Sequence, residues 1–118
     1  MENAPAVIVA CVNPHDTWEK YDEEDDCYVL DTAAAIENML LAIHDLGLGA
    51  VWCLTCGKHA IRGLLSIPLH WQIVSIVPFG YFDPADPMNA PVRSRKPLSQ
   101  VAFLNGVEHP IPGVDRAR

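Results

Sequence analysis

The sequence predicts a soluble, layered domain of the α/β or α+β class. Apolar segments of strand length alternate with segments of helical periodicity in the order strand, helix, strand, helix, strand. Half of the 118 residues are hydrophobic and 19% are charged, so the chain has material for a core. Its apolar runs are far shorter than the roughly 18 residues needed to span a bilayer. We expect no secretion signal and a cytoplasmic location.

The first predicted strand is Ala6–Val12, an apolar run rich in β-branched residues that ends at the turn pair Asn13-Pro14. Its unbroken apolar character predicts burial. The following stretch, His15–Asp26, is polar and acidic and is interpreted as a solvated loop. Its carboxylates lack the spacing and the turn glycine of a calcium loop, so we predict no metal site there.

The strongest helix signal covers Ala33–Leu46, with Asp31 or Thr32 as the N-terminal cap and Gly47 closing the C-terminus. At about 100° per residue, the apolar side chains of this segment cover most of the helix circumference. Such a helix needs cover on several sides, and a chain this short offers few elements to supply it. We therefore expect this long helix to lie at the interface of a homodimer.

Two short elements follow the long helix. Ala50–Leu54 is predicted as an apolar strand, entered through a glycine-containing turn. Lys58–Leu65 is predicted as a second helix whose inner side carries Ile61, Leu64 and Leu65.

The continuous apolar run Trp71–Phe82 predicts a strand covered on both faces. Pro78 cannot donate a ladder hydrogen bond, so a bulge or a sheet edge is expected there. The proline-rich stretch Asp83–Pro97 predicts an extended surface loop, and Leu98–Leu104 a short strand. The tail, His109–Arg118, resembles an arm more than a packed element.

The net charge of −7 argues against a nucleic-acid partner, because phosphate contacts require clustered Lys and Arg. The charge is also uneven, since residues 1–57 contain a single basic residue, Lys20. The tight basic cluster is Arg93, Arg95 and Lys96, which is too small for a duplex and suits one phosphate. Two guanidinium groups one residue apart can flank a dianion through charge-assisted bonds.

The cysteines at 11, 27, 53 and 56 are expected to be reduced thiols in packing roles. Cys53 and Cys56 form a CxxC pair, with His59 three residues later. A redox dithiol and half of a zinc site are the alternative interpretations. No second ligand pair is clustered in the sequence, which disfavours a small zinc protein.

Three stretches in series resemble the nitroreductase family. Asp31–Trp52 (DTAAAIENMLLAIHDLGLGAVW) is similar to the family's central helix, its GLG turn and the strand that follows. Ile61–Tyr81 (IRGLLSIPLHWQIVSIVPFGY) resembles the short helix, the IP-x-HW turn and the buried strand ending in FGY. Arg93–Leu98 (RSRKPL) resembles the basic element near the C-terminus, and Ala4–Cys11 looks like the strand before the acidic loop. Each motif alone is weak, but their order makes the resemblance specific.

The resemblance implies an α+β nitroreductase-like fold with a central β-sheet flanked by helices, in one domain over residues 1–118. It also implies that this chain corresponds to the C-terminal part of such a protein and lacks the usual Arg-rich N-terminal segment. The implied function is FMN-dependent oxidoreduction. In a ping-pong reaction, electrons pass from NAD(P)H through the flavin to a nitro compound, quinone or similar acceptor. A non-catalytic dimerisation or flavin-binding module is the alternative.

The implied cofactor-binding residues fall in two places. Arg93 and Arg95 match the positions that reach the FMN phosphate in the family. The second group matches the strand end that passes along the flavin ring, where many relatives carry a Gly or a Glu-Gly pair. This chain has neither, so only backbone contacts carry over to that group, which consists of Trp52, Cys53, Leu54 and Thr55. We predict no catalytic side chain and no metal ligand, because the cofactor carries the chemistry.

Overall fold

The computed structural model describes residues 4–18, 27–83, 85 and 94–112. The chain divides into two compact units, Met1–Asp83 and Pro84–Arg118, and each is considered separately. In its described part the first unit combines two α-helices with an antiparallel sheet, which confirms the α+β class. The assignment of residues 1–118 to one domain remains a prediction.

The sheet of the first unit has the order β1-β3-β2, so β3 is its central strand. The bounds are Ala6–Val12 for β1, Gly49–Ala50 for β2 and Gln72–Gly80 for β3. Both neighbours run antiparallel to β3. The bounds of β1 match the prediction, but Ala10 is the one residue of β1 that is buried, because this strand pairs on one side alone.

The predicted role of Pro78 is wrong, since this residue lies buried in the central strand opposite Val7. The register instead shifts between Ala10 and Cys11 of β1, and this shift begins three residues after Val7, the proline's partner. Pro78 instead affects the pairing of β3 with the chain that follows β2. The Val51 N–H donates to the Pro78 carbonyl at 3.1 Å, but proline has no N–H to return to Val51.

Pairing resumes two residues later, where Cys53 and Ile76 exchange backbone bonds of 2.9 and 3.1 Å. The prediction of a strand over Ala50–Leu54 is therefore correct in part. Ala50 and Cys53 both pair with β3, but the ladder of hydrogen bonds between them is interrupted at Pro78. Its regular part, β2, consists of two residues for this reason.

The first helix, α1, spans Cys27–Asp45 and begins earlier than the sequence indicated. Asp31 and Thr32 lie inside it, so neither is the cap that was predicted. The Thr32 hydroxyl donates to the Tyr28 carbonyl at 2.6 Å, one turn back in the same helix. The Asp31 carboxylate accepts from the Thr17 hydroxyl at 3.0 Å and so joins the helix to the segment after β1.

The end of α1 agrees with the prediction. Gly47 has φ +74° and its N–H donates to the His44 carbonyl at 2.9 Å, while the Leu48 N–H donates to Ile43 at 3.0 Å. This pair of bonds is the Schellman arrangement, in which a residue of positive φ terminates the helix. The turn brings the chain directly into β2.

The core of the first unit lies between α1 and one face of the sheet. Ile36 is fully buried, and Ile43 packs in the same cluster with Ala10 and Val77. Partly buried side chains complete the layer: Ile8, Met39, Leu40, Leu48, Ala50, Trp52 and Phe79. On the opposite side of α1, Leu41 is 60% exposed within the described chain, among polar neighbours such as Asn38 and Asp45. Leu46, the first residue after the helix, is 72% exposed.

The second helix, α2, spans Lys58–Leu65 as predicted. It ends at Ser66, which has a left-handed φ of 52°, and the Ile67 N–H donates to the Arg62 carbonyl at 3.0 Å. The predicted inner side is wrong for its two leucines. Leu64 is 83% exposed and Leu65 is also exposed, so the apolar face of α2 is not covered within the described residues.

The second unit, taken by itself, contains a short 3-10 helix and a hairpin-like pairing. The 3-10 helix covers Leu98–Gln100, so the predicted strand Leu98–Leu104 is wrong at its start. The pairing joins Leu104 to His109 and Ala102 to Ile111 through backbone bonds of 2.8 and 3.0 Å. The predicted C-terminal arm therefore begins as part of this pairing.

Among the described helices, none combines the length and the apolar character that a membrane span requires.

Candidate functional site

The candidate site is the strand end after β2, where the chain leaves the sheet. Cys53 is the last residue held there, by its two backbone bonds to Ile76. The backbone then bends at Leu54 and Thr55, and both residues are exposed. In the part of the chain that the structure describes, neither of their N–H groups donates to a protein acceptor. The strand end thus offers two adjacent donors to an acceptor outside the chain.

Trp52 anchors this strand end to the core. Its side chain packs against the cluster beneath α1, and its indole Nε1 is buried without a partner among the described residues. The Ser75 hydroxyl, in the middle of β3, is completely buried and also lacks a partner there. Buried polar groups of this kind are normally paired, often with ordered water. Sequence reasoning missed Ser75, although a serine inside an apolar strand was a visible signal.

The four cysteines are free thiols. Cys53 and Cys56 are both partly exposed and lie on either side of the bend. The Cys53 thiol donates weakly to the Val51 carbonyl, with sulfur and oxygen 3.9 Å apart. Within the described ranges, no group of three or more His, Cys, Asp or Glu side chains is placed to hold a metal ion.

Arg62 was not singled out by the sequence, and it fixes the connection between α2 and β3. Its guanidinium donates to the Ile67 carbonyl at 3.2 Å, to the Trp71 carbonyl at 2.7 Å and also to the Pro68 carbonyl. Burial raises the pKa of the nearby Cys11 thiol, and the positive charge of Arg62 opposes this rise in part. The sequence gives little indication of this role, because Arg62 binds backbone carbonyls, which every residue has, and these lie beyond the turn that ends α2.

The predicted phosphate-binding pair is described only in part. Arg93 lies outside the described residues. Arg95 is exposed in the second unit, and its guanidinium has no hydrogen-bonding or ionic partner among the residues described. The binding of the FMN phosphate by these arginines therefore remains a prediction.

Comparisons with known proteins agree on one family. The model of the Nitroreductase family matches residues 1–81. One relative is a protein from Archaeoglobus fulgidus that has been assigned by inference as an NADH dehydrogenase/NAD(P)H nitroreductase. It is 39% identical over 85 residues, which cover 69% of this chain and 47% of that protein. The chain spans less than half the length of the curated relatives it matches.

Solved structures give the same result. A nitroreductase family protein from Clostridium novyi NT is 32% identical with a TM-score of 0.61, covering 67% of this chain and 44% of that one. An FMN-dependent nitroreductase from Clostridium difficile R20291 is 25% identical with a TM-score of 0.55, covering 70% and 48% respectively. The fold, the order of the elements and these matches lead to one conclusion: the chain belongs to the Nitroreductase family.

Proposed function

We propose that this protein is an FMN-dependent oxidoreductase that passes electrons from NAD(P)H to a nitro compound, quinone or similar acceptor in two half-reactions. The observation that carries the proposal is the pair of uncommitted N–H groups at Leu54 and Thr55, in a chain of this family. The names of the relatives support the same class of reaction, since they include an NAD(P)H nitroreductase and an FMN-dependent nitroreductase.

The strand end fits the chemistry of a flavin ring. The polar edge of an isoalloxazine carries carbonyl oxygens and ring nitrogens that accept hydrogen bonds, and exposed backbone donors match them. Bound FMN would supply the acceptance of hydride from NAD(P)H and the release of electrons to the second substrate. The chain's own contribution at this point is to hold and orient the ring. Cys53 fixes the donors to the sheet through Ile76, and Trp52 fixes them to the core.

Arg93 and Arg95 are proposed to bind the FMN phosphate. A guanidinium that is exposed and uncommitted, as that of Arg95 is among the described residues, is suited to a charge-assisted bond with a phosphate oxygen. Two such groups separated by one residue can share a dianion. Neither arginine needs to move a proton, because guanidinium stays charged at any working pH.

A homodimer is part of the proposal because the described chain leaves too much apolar surface uncovered. Leu41 on α1, Leu46 just after it, and Leu64 on α2 are all largely exposed. Contiguous apolar patches on a protein surface mark interaction sites. A second copy packed on α1 would cover the side of the helix that the sheet does not reach.

A non-catalytic flavin-binding or dimerisation module is the second candidate. It is favoured by the residues of the strand end, because many family members carry a Gly or a Glu-Gly pair close to this stretch, whereas this chain has an exposed apolar side chain there, that of Leu54. This module would bind FMN through backbone contacts but would not support NAD(P)H oxidation.

The test is a titration in which FMN binding to the wild-type protein is measured by the quenching of flavin fluorescence. The Arg93→Ala/Arg95→Ala variant is expected to bind at least about tenfold more weakly, since each charge-assisted bond contributes about 1.5–3 kcal/mol. Lys96→Ala, which removes a neighbouring positive charge, is the matched control. Equal affinities for the wild type and the double variant would overturn the phosphate role. Binding without NAD(P)H oxidation would favour the module.

A further inference from the structure

The CxxC pair at Cys53 and Cys56 has no part in the proposed electron transfer, but its placement suits a chemistry of its own. Both thiols are free and partly exposed at the surface of the first unit. The residues between them, Leu54 and Thr55, are exposed as well, so the whole segment that carries the two thiols is open to solvent in the described chain. We propose that Cys53 and Cys56 are a redox-active thiol pair that closes to an intramolecular disulfide by exchange with low-molecular-weight disulfides.

The backbone holds the two residues at the ends of a bend. Cys53 is fixed to the sheet by its paired bonds with Ile76. The carbonyl of Cys56 accepts from the Lys58 N–H at 2.7 Å, which fixes it at the start of α2. The chain changes direction at both intervening residues. A fully extended chain would separate the Cα atoms of Cys53 and Cys56 by about 10 Å. The bend shortens this separation towards the roughly 4.4–6.8 Å that a disulfide spans between Cα atoms.

Little is lost when the ring closes. The Cys53 thiol is committed to the Val51 carbonyl over 3.9 Å, and a thiol is a weak donor. Rotation of this side chain away from Val51 therefore gives up a weak contact. No ladder bond has to break, since the bonds of Cys53 to Ile76 are made by the backbone.

The other two cysteines are placed differently. Cys11 sits within β1 opposite Ile73, and burial raises the pKa of its thiol, which lowers its share of reactive thiolate. Cys27 is the first residue of α1, in a different segment of the chain. Neither has a second cysteine within three residues. The exchange is expected to select the CxxC pair for this reason.

The reaction balances in two steps. The thiolate of one cysteine attacks a small disulfide, whose S–S bond breaks as a mixed disulfide forms and one small thiol leaves. The second thiolate then attacks the protein sulfur of the mixed disulfide and releases the second small thiol. The protein dithiol loses two electrons and two protons, and the small disulfide gains them. This chemistry does not depend on a bound flavin.

The test exposes dilute protein to excess oxidised glutathione, quenches with acid, and alkylates the remaining thiols for peptide mapping. The expected result is the loss of two of the four reactive thiols, those of Cys53 and Cys56, with a mass decrease of two hydrogen atoms. Excess dithiothreitol should restore both. Four thiols that remain alkylatable, or a linkage between two chains on a non-reducing gel, would overturn the proposal.

Single substitutions separate the two steps. Cys56→Ser removes the resolving thiol, so a stable glutathione adduct is expected on Cys53. Cys27→Ser is the matched control and should form the same intramolecular disulfide as the wild type. If the Cys56→Ser protein carries no adduct, or if the wild type keeps a lasting adduct in place of the ring, the paired mechanism is wrong. Peptide mapping of the wild-type thiols needs no variant. It therefore tests the formation of the disulfide even where a substitution prevents folding.

Discussion

The ring of Pro5 lies directly over Gly80, where β3 ends. A Cβ atom added at Gly80 would stand 2.5 Å from Cδ and 2.7 Å from Cγ of Pro5. Real Cβ atoms do not approach other carbons so closely, so one of the two strands must shift to admit a side chain. The close contact joins the start of β1 to the end of the central strand.

Gly80→Ala is therefore expected to destabilise the fold by about 1–3 kcal/mol, the usual range for overpacking. Gly63→Ala in α2 is the matched control, because nothing lies within 4 Å of a Cβ there. Removing a glycine from a helix interior should stabilise the protein by roughly 0.8–1.0 kcal/mol. Urea unfolding followed by circular dichroism measures both. A Gly80→Ala protein as stable as the wild type would contradict the packing described here.

Ile36 and Leu41 lie on opposite sides of α1 and should respond differently to truncation. Ile36 is completely buried beneath the helix, so Ile36→Ala should cost about 2–5 kcal/mol through lost burial and a cavity. Leu41 is exposed within the described chain, and Leu41→Ala should change the stability of a single chain by less than about 0.5 kcal/mol. Denaturation at low protein concentration, where association is weakest, compares the two. Equal costs would mean that the side of α1 facing the sheet is wrongly assigned.

The exposed side of α1 gives a direct test of self-association. Leu41→Glu/Leu46→Glu places one charge on α1 and one just after its end, and should weaken a dimer formed through this part of the chain by at least about tenfold, since buried unpaired charges are costly. Glu37→Gln, on an exposed position of the same helix, is the control. Analytical ultracentrifugation over a range of concentrations reports the dissociation constant. A wild-type protein that sediments as a folded monomer at every concentration would exclude the dimer.

Cys11 should titrate above the ordinary range of a thiol, because burial raises its pKa. In the folded protein this thiol keeps its proton at pH values where the same thiol of the unfolded chain has lost it. Its contribution to stability is thus complete below the unfolded pKa and is lost as the pH rises through the folded one. The rate of Cys11 alkylation against pH, in native and urea-unfolded protein, measures the difference. Arg62→Gln should shift the native profile to higher pH still, because the opposing positive charge is gone.

Much of the first unit could be predicted from local sequence signals. The bounds of β1 follow from an apolar run and the Asn13-Pro14 turn, and Gly47 ends α1 because it adopts a positive φ. The start of α1 could not be predicted in the same way. Its first turn contains Cys27, Tyr28 and Val29, which are weak helix formers, and the tertiary structure overrides that preference.

Properties that depend on distant contacts were beyond the sequence. Leu64 was predicted to face inward because it lies on the apolar side of α2, but no described element covers that side. The burial of the Ser75 hydroxyl, which has no partner among the described residues, likewise depends on the pairing of β1 with β3. For the candidate site, family resemblance directed attention to the strand end, whose role in flavin binding remains a prediction, whereas the two open N–H groups of Leu54 and Thr55 became visible in the structure.

The gap that Pro78 leaves opposite Val51 isolates the candidate site from the rest of the sheet. Beyond that gap, among the described residues, Cys53 and Ile76 form the one bonded pair that ties the strand end to β3. The local opening of this pair need not unzip β2, so the amides of these two residues should exchange hydrogen independently of the core. Slower exchange at these positions on adding a ligand would then signal occupancy of the strand end, even where no catalytic turnover can be measured.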